Sequence, residues 1–597
     1  MSDHKDSPDA VYALRLFCKF FIVLISLLLP IKFGSVLYTT TIETFPDSFL
    51  GWLISPWPTA LLPLLSGTAL LLTVVSFPLP CYRNKWWLLT IPWLAVVLLL
   101  LPALFNSTEL ERATLFIGNL LSAASLGMAG FIVLFNDKKF AHWLFISVIC
   151  GAVLISLEAW YEVPGGGLED ALEFAEQQAE QGGYELPPEY RTRLLEKRAS
   201  GPFVYPNSFA AHLILILPLS LITVWRYSSK LEPGHVSRWF CSALFLAVTV
   251  PALYWSGSRA ALLALAGGIG AAFLLSRQSL KRKLLFIGIA LLLAASGYLA
   301  VNKGRSVASA EARLDYWQTA VEIYLEHPVT GAGLGEFFPW YMRLLPEGAE
   351  KTRLPHNFFL LFVSEAGVLG FIAAMLLLSL PFWFTKIDKW REENHNAQGS
   401  AMIFALQSGL FAWLLHSLAD FNLHIPGTLA MMALIIILLP TVIAKEETEL
   451  PDSYRETGDK TGIGKNTILQ KSLIILLAIV TLAGAWRLPG QHTYNELLRA
   501  SQNPETGLDK IIRLTEQAAR QLPLSPYPYI TLSQKAEAEQ AYTITEEALS
   551  QAVQRTPHRG ALWEELAKVR KRLGMTEAAK EAGRNAERWQ NRPADYN

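Results

Sequence analysis

Residues 205–225, YPNSFAAHLILILPLSLITVW, contain no Asp, Glu, Lys or Arg. A bilayer crossing needs about 20 predominantly apolar residues, and this stretch meets that length. Working outward, comparable stretches recur at about 13–37, 56–78, 86–104, 114–135 and 142–160 on one side. On the other they recur at about 239–256, 260–276, 284–301, 357–383, 401–417, 425–444 and 472–487. The total is roughly thirteen, with the pair 239–256 and 260–276 close enough to form one long kinked element. Helices satisfy their own backbone groups in lipid. The expected fold is therefore all-α: a polytopic transmembrane helical bundle over 1–487, then a soluble helical-repeat domain over 488–597.

Composition agrees. Of 597 residues, 52% are hydrophobic and 17% charged, with 51 Lys+Arg against 51 Asp+Glu. Zero net charge speaks against a nucleic-acid partner, which needs a basic excess. The apolar content speaks against a disordered chain. Cys18, Cys81, Cys150 and Cys241 lie far apart and form no CxxC pair, so neither a zinc site nor a disulfide framework is expected.

Orientation follows from Lys and Arg in the short loops. The polar start MSDHKDSPDA lacks a small-residue cleavage site, so the first stretch reads as a retained helix. With the N-terminus cytoplasmic, the inside loops carry Arg83 and Lys85, Lys138 and Lys139, then Arg226, Lys230 and Arg238. Next come Arg277, Lys281, Arg282 and Lys283, then Lys386, Lys389 and Arg391, while short outside loops carry only Arg112 and Arg259. This topology puts two long polar segments outside, about 161–204 and 302–356, a polar linker inside at about 445–471, and the tail outside. The tail alternates amphipathic helices with short turns, and its alanines and Pro557 resemble tetratricopeptide repeats. A generic helical hairpin domain fits the same pattern, and either form reads as a docking surface for a protein partner.

Charge near a membrane face is costly unless it has work or partners. Arg259, in the turn Trp255-Ser256-Gly257-Ser258-Arg259, is either a snorkelling anchor or a ligand-binding group; an anchor would be expected on the inner face. Arg313 and Trp317 share a helix face four residues apart, which suits a surface Arg–Trp contact or a binding residue. The following run HPVTGAGLGEF (327–337) follows no strand and lacks GK[ST], so its glycines serve sharp turns or close approach and not a nucleotide loop. His356, before the 357–383 stretch, is a cap, a surface residue or a site residue. His416, Asp420 and His424 recur at fourfold spacing, which would line one face of a continuous helix. Pro426 and the polar break favour a re-entrant turn over a metal site, and no metal or cofactor is expected.

Two guanidinium groups and one imidazole on one outer face suggest a chemistry. Guanidinium stays charged and grips phosphate oxygens in pairs, so Arg259 and Arg313 could hold a diphosphate leaving group. An imidazole titrates near neutrality and can serve as base for a hydroxyl. Outside the cytoplasm there is no ATP, so the donor must arrive activated, and a lipid-linked diphosphate is the natural candidate.

Together, RASGPFVYPNSFAAHLILILPL (198–219), SGSRAALLALAGG (256–268), ARLDYWQTAVEIYLEHPVTGAGLGEFF (312–338), PHNFFLLFVSEAGVLGF (355–371) and HSLADFNLHIP (416–426) resemble the O-antigen ligase and polymerase superfamily of bacterial membrane glycosyltransferases. The resemblance covers roughly 198–440. It implies an inner-membrane enzyme that moves a glycan from an undecaprenyl-diphosphate carrier to a hydroxyl at the periplasmic face, in an inverting, metal-independent reaction. The acceptor would be a lipid A-core sugar, a second lipid-linked glycan or a protein Ser/Thr. Residue by residue, it implies that Arg259 and Arg313 bind the diphosphate, with Trp317 beside Arg313 in the R-x-x-x-W pattern. His356 is then the base, Arg198 a further basic residue near the diphosphate, Asn207 a residue shaping the cleft, and Asp420 an acidic position without an assigned role. A transporter or a recruiting scaffold is the competing class. Repeated halves, expected of many transporters, are not evident, and the charges gather at one face.

Overall fold

The computed structural model describes residues 8–37, 45–46, 48–79, 91–182, 186, 188–229, 235–276, 279, 281, 283, 306–345, 350–383, 397–443 and 464–589. Among them there is helix and no strand. Among the described residues, seven helices are long and apolar enough to cross a membrane: Ala10–Lys32, Leu110–Asn136, Phe140–Glu162, Pro206–Ser228, Val236–Trp255, Phe358–Ser379 and Gln470–Gln502. Shorter apolar helices at Leu61–Ser76, Pro92–Asn106, Arg259–Leu275, Ala401–Ser417 and Pro426–Leu438 coincide with further expected stretches. The expected span at 284–301 lies outside the described residues, as does most of the 445–471 linker. The chain is an all-α, multi-pass membrane protein.

Two helices form the middle of the bundle. Leu110–Asn136 is buried over nearly all of its apolar length and packs on Pro426–Ile443. Ala397–Ser417 lies against both Pro206–Ser228 and Arg259–Leu275. Small residues permit that approach: a Cβ on Gly409 would fall 2.1 Å from Leu215 O, and one on Gly268 would fall 2.4 Å from Ala412 N. Close packing of this kind holds helices together where lipid is as apolar as the side chains.

The pair 239–256 and 260–276 is two helices, His235–Trp255 and Arg259–Leu275, divided by the tight Ser256–Ser258 turn. Gly257 has φ 63° there. The 161–204 segment carries the polar helices Gly167–Gly182 and Pro188–Leu195. The 302–356 segment carries Ser306–Glu326 and Phe337–Leu344. The HSLADFNLHIP stretch is a break: one helix ends at Ser417, a short 3-10 turn spans Asn422–His424, and a new helix starts at Pro426. His416, Asp420 and His424 therefore do not share one helix face; His424 stacks on Phe116, ring centroids 4.5 Å apart.

The glycine run does what its composition implies. Gly331, Gly333 and Gly335 have φ of 71°, 113° and 79°, values that L side chains adopt at a cost. The run lies against the helix Phe358–Trp383, which is itself interrupted at Gly367 (φ 60°, ψ −142°). Ala332 N donates to Ser364 O at 2.9 Å, Gly333 N to Glu365 O at 3.0 Å, and Val368 N to Pro328 O at 2.9 Å. The break thus frees helix backbone groups that the glycine run satisfies.

After Arg487 the helices Leu488–Gln502, Leu508–Gln521, Tyr527–Ala538, Tyr542–Arg555, Gly560–Arg572 and Thr576–Trp589 pack successively on one another. They bury two small apolar clusters of their own, one around Leu497 and Ile511 and one around Leu566 and Val569.

Candidate active site

The SGSR turn is built from the chain outward. Ser256 Oγ donates to Leu253 O at 2.6 Å and accepts from Ser258 N at 3.2 Å. Ser258 caps the next helix through Ala261 N at 3.4 Å. Arg259, the first helical residue, is exposed. Arg198 crosses the turn from outside: its Nε donates to Ser256 O at 2.8 Å and its Nη2 to Asn207 Oδ1 at 2.9 Å. Ala199 N adds a bond to Trp255 O at 3.0 Å. Arg198 and Asn207 are thus partners, and together they fix the turn from which Arg259 projects.

On its inner side the turn meets His416. Ser258 Oγ lies 3.5 Å from His416 Nε2, and the Asn422 amide lies 3.0 Å from His416 Nδ1. Asn422 also donates to Ser417 Oγ at 2.9 Å, closing the turn on itself. Arg313 is within electrostatic reach of the buried His416 and of Tyr316.

His356 stands beside this turn. Its Nδ1 is 3.4 Å from Asp420 Oδ1, an ion-pair distance longer than a normal hydrogen bond. Its ring stacks on Tyr316 at 5.8 Å and lies against Phe421 at 4.8 Å. The residue has φ 50°, a strained value for a side chain other than glycine. The cap of the following helix is Asn357, whose Oδ1 accepts from Leu360 N at 3.1 Å, so His356 is released from capping. Trp317 Nε1 donates to Pro355 O at 3.1 Å. Asp420 is buried, and burial alone would push its carboxyl up; His356, His416 and the Phe421 N–H hold it below the usual carboxylate range.

Two groups of the predicted residues are joined directly: Arg198 with Asn207 at the turn that precedes Arg259, and His356 with Asp420, next to the helix of Arg313 and Trp317. Tyr205 joins the two sides, its ring 5.7 Å from Phe421. Sequence reading passed over Tyr205 and Tyr316, although both stand inside motifs that carry the resemblance. It also left Asp420 without a partner, because the contact with His356 joins distant parts of the chain.

The arrangement offers a buried carboxylate behind an imidazole that is one quarter exposed, with guanidinium groups at the same end. That set can accept a proton and hold an anion. Residues 242–375 match the family model described as O-antigen ligase, a segment that includes Arg259, Arg313, Trp317 and His356. No curated protein matches the chain. That match lies on the motifs that carry the resemblance, so over residues 242–375 the chain is similar to the O-antigen ligase family.

Proposed function

We propose that this protein is a glycosyltransferase of the bacterial inner membrane that works at the periplasmic face on an undecaprenyl-diphosphate-linked glycan. An acceptor hydroxyl loses its proton to His356 as its oxygen attacks the anomeric carbon. The bond from that carbon to the diphosphate oxygen breaks, and the configuration inverts. Undecaprenyl diphosphate departs with its charge held by Arg259 and Arg313. Asp420 stabilises the imidazolium that forms and fixes the ring. Arg198 acts on the diphosphate by holding the SGSR turn, and Asn207 by holding Arg198. No step calls for a metal, since guanidinium supplies the positive charge.

The observation that carries this reading is the His356–Asp420 contact, with the ring set between Tyr316 and Phe421 at the arginine-bearing end. The acceptor is a sugar of a lipid A-core, a second lipid-linked glycan or a protein hydroxyl. The topology proposed has a cytoplasmic N-terminus and a periplasmic, tetratricopeptide-like tail from about residue 488. The test is transfer by purified protein in vesicles, given a defined polyprenyl-diphosphate glycan and each acceptor class separately. His356→Ala and Arg313→Ala abolish product while insertion stays normal; wild-type product from both would remove the site, and no product from the unaltered protein with any acceptor would leave a transporter or scaffold.

A further inference from the structure

The last helices of the chain reach back to the bundle through buried charge. Glu336, fully buried directly after the glycine run, accepts from Thr108 N at 2.6 Å, Thr108 Oγ1 at 2.7 Å and Glu109 N at 2.8 Å. Its other oxygen lies 2.8 Å from Nδ1 of His558 in the tail. Glu109, also buried, is shared between Arg112 and the tail's Arg559: Oε2 is 2.8 Å from Arg112 Nε, and Oε1 is 2.8 Å from Arg559 Nε. Burial pushes the Glu109 carboxyl up, yet the two arginines hold it below its usual range. Trp589, in the last described turn, stacks on His558 at 3.8 Å, meets Trp340 edge-on at 5.5 Å and packs into the core of the bundle. A tail tethered loosely at a membrane surface would not bury two carboxylates in this way, because each is costly to desolvate unless fully paired.

These contacts lead to the site by two routes. Glu336 opens onto the helix Phe337–Leu344, whose Tyr341 ring lies 5.7 Å from Tyr316, the ring stacked on His356. Arg353, three residues before His356, is within electrostatic reach of Arg559 and Tyr527 of the tail and of Tyr205 at the site.

We propose that the C-terminal helices are a built-in brace of residues 331–345 and 350–356, with Glu336, His558, Glu109 and Arg559 acting as positioning residues for His356. The face of the tail that carries His558, Arg559 and Trp589 then serves its own bundle, and any partner protein must use another face. As a statement about the reaction this rests on the function proposed above; as a statement about the loop it does not.

The test separates the two. The full chain in lipid nanodiscs is compared with His558→Ala, His558→Gln, Arg559→Lys and the exposed-pair control Arg572→Gln, whose partner Glu537 lies within the tail. Backbone hydrogen exchange over 331–345 and 350–356 rises in His558→Ala and Arg559→Lys, and kcat falls by about tenfold to a hundredfold with donor KM nearly unchanged. His558→Gln keeps an N–H for Glu336 and restores most of both, and Arg572→Gln changes neither. Unchanged exchange in the inserted His558→Ala and Arg559→Lys proteins overturns the brace, whatever the activity. Raised exchange with wild-type kcat retains a structural brace but overturns the positioning role. Raised exchange with no transfer even by wild type upholds the brace and counts against the glycosyltransferase reading.

Discussion

The indole N–H of Trp317 is bonded to the carbonyl of Pro355 at 3.1 Å, so the helix that carries Arg313 is pinned to the residue just before His356. The R-x-x-x-W spacing thereby acquires a physical sense: arginine and tryptophan share a face, and the tryptophan registers that face against the imidazole. Trp317→Phe keeps the ring and deletes the donor. One such bond is worth about 1 kcal/mol, so initial transfer rates at matched protein amounts fall about fivefold. A rate equal to wild type would detach the pin from catalysis.

Asp420→Asn keeps the shape and removes the anion behind His356. Transfer falls by about a hundredfold or more. Asp420 itself is held below the usual carboxylate range. Its stabilising contribution is therefore complete above that range and is lost only as pH falls through the depressed value. Wild-type unfolding profiles consequently stay flat on its account down to about pH 4, and Asp420→Asn lowers stability across that flat region. A midpoint for Asp420→Asn that coincides with wild type at neutral pH would contradict this.

Arg259→Lys retains the charge and loses paired contact with phosphate oxygens. The expected result is a loss of about tenfold or more in kcat/KM for the lipid-linked donor. Arg198→Gln acts differently, since it frees the carbonyl of Ser256 and the amide of Asn207 and so loosens the turn. Its defect appears as lower thermal stability as well as lower turnover. Full activity of Arg259→Lys would restore the reading of that residue as a membrane anchor.

Gly331→Ala places a Cβ 2.2 Å from Ala366 N at a φ of 71°. Backbone strain and overlap with a rigid helix together cost at least ~2 kcal/mol, so the yield of inserted protein and its thermal midpoint both drop. Gly118→Ala is the control: nothing lies within 4 Å of its Cβ position, and the helix gains or stays level. Equal behaviour of the two variants would show that the glycine run is not wedged against the broken helix.

The apolar lengths around 205–225 made the helices legible, because lipid leaves the backbone few alternatives. The break in HSLADFNLHIP was legible from Pro426 and its polar neighbours, and the need for glycine at 331, 333 and 335 from composition alone. Pairings were not legible. Asp420 carried an acidic side chain and no clue to His356, and Arg198 gave no sign that its guanidinium would meet Ser256 O and Asn207 Oδ1. Glu336 and His558 stand 222 residues apart, and periodicity carries no information at that range. The tail's helices were readable from their amphipathic spacing, whereas the surface they rest on depends on two buried carboxylates that resemble any others in a sequence.

The interruption at Gly367 has a bearing on how chains of this kind can be recombined. The HPVTG turn and the helix it rests on exchange backbone bonds across the break, so each supplies what the other lacks. A chimaera that imports the loop from a relative but retains the native helix inherits half of a lock. Grafts that alter acceptor choice should therefore be cut outside residues 327–371, moving the whole unit as a cassette.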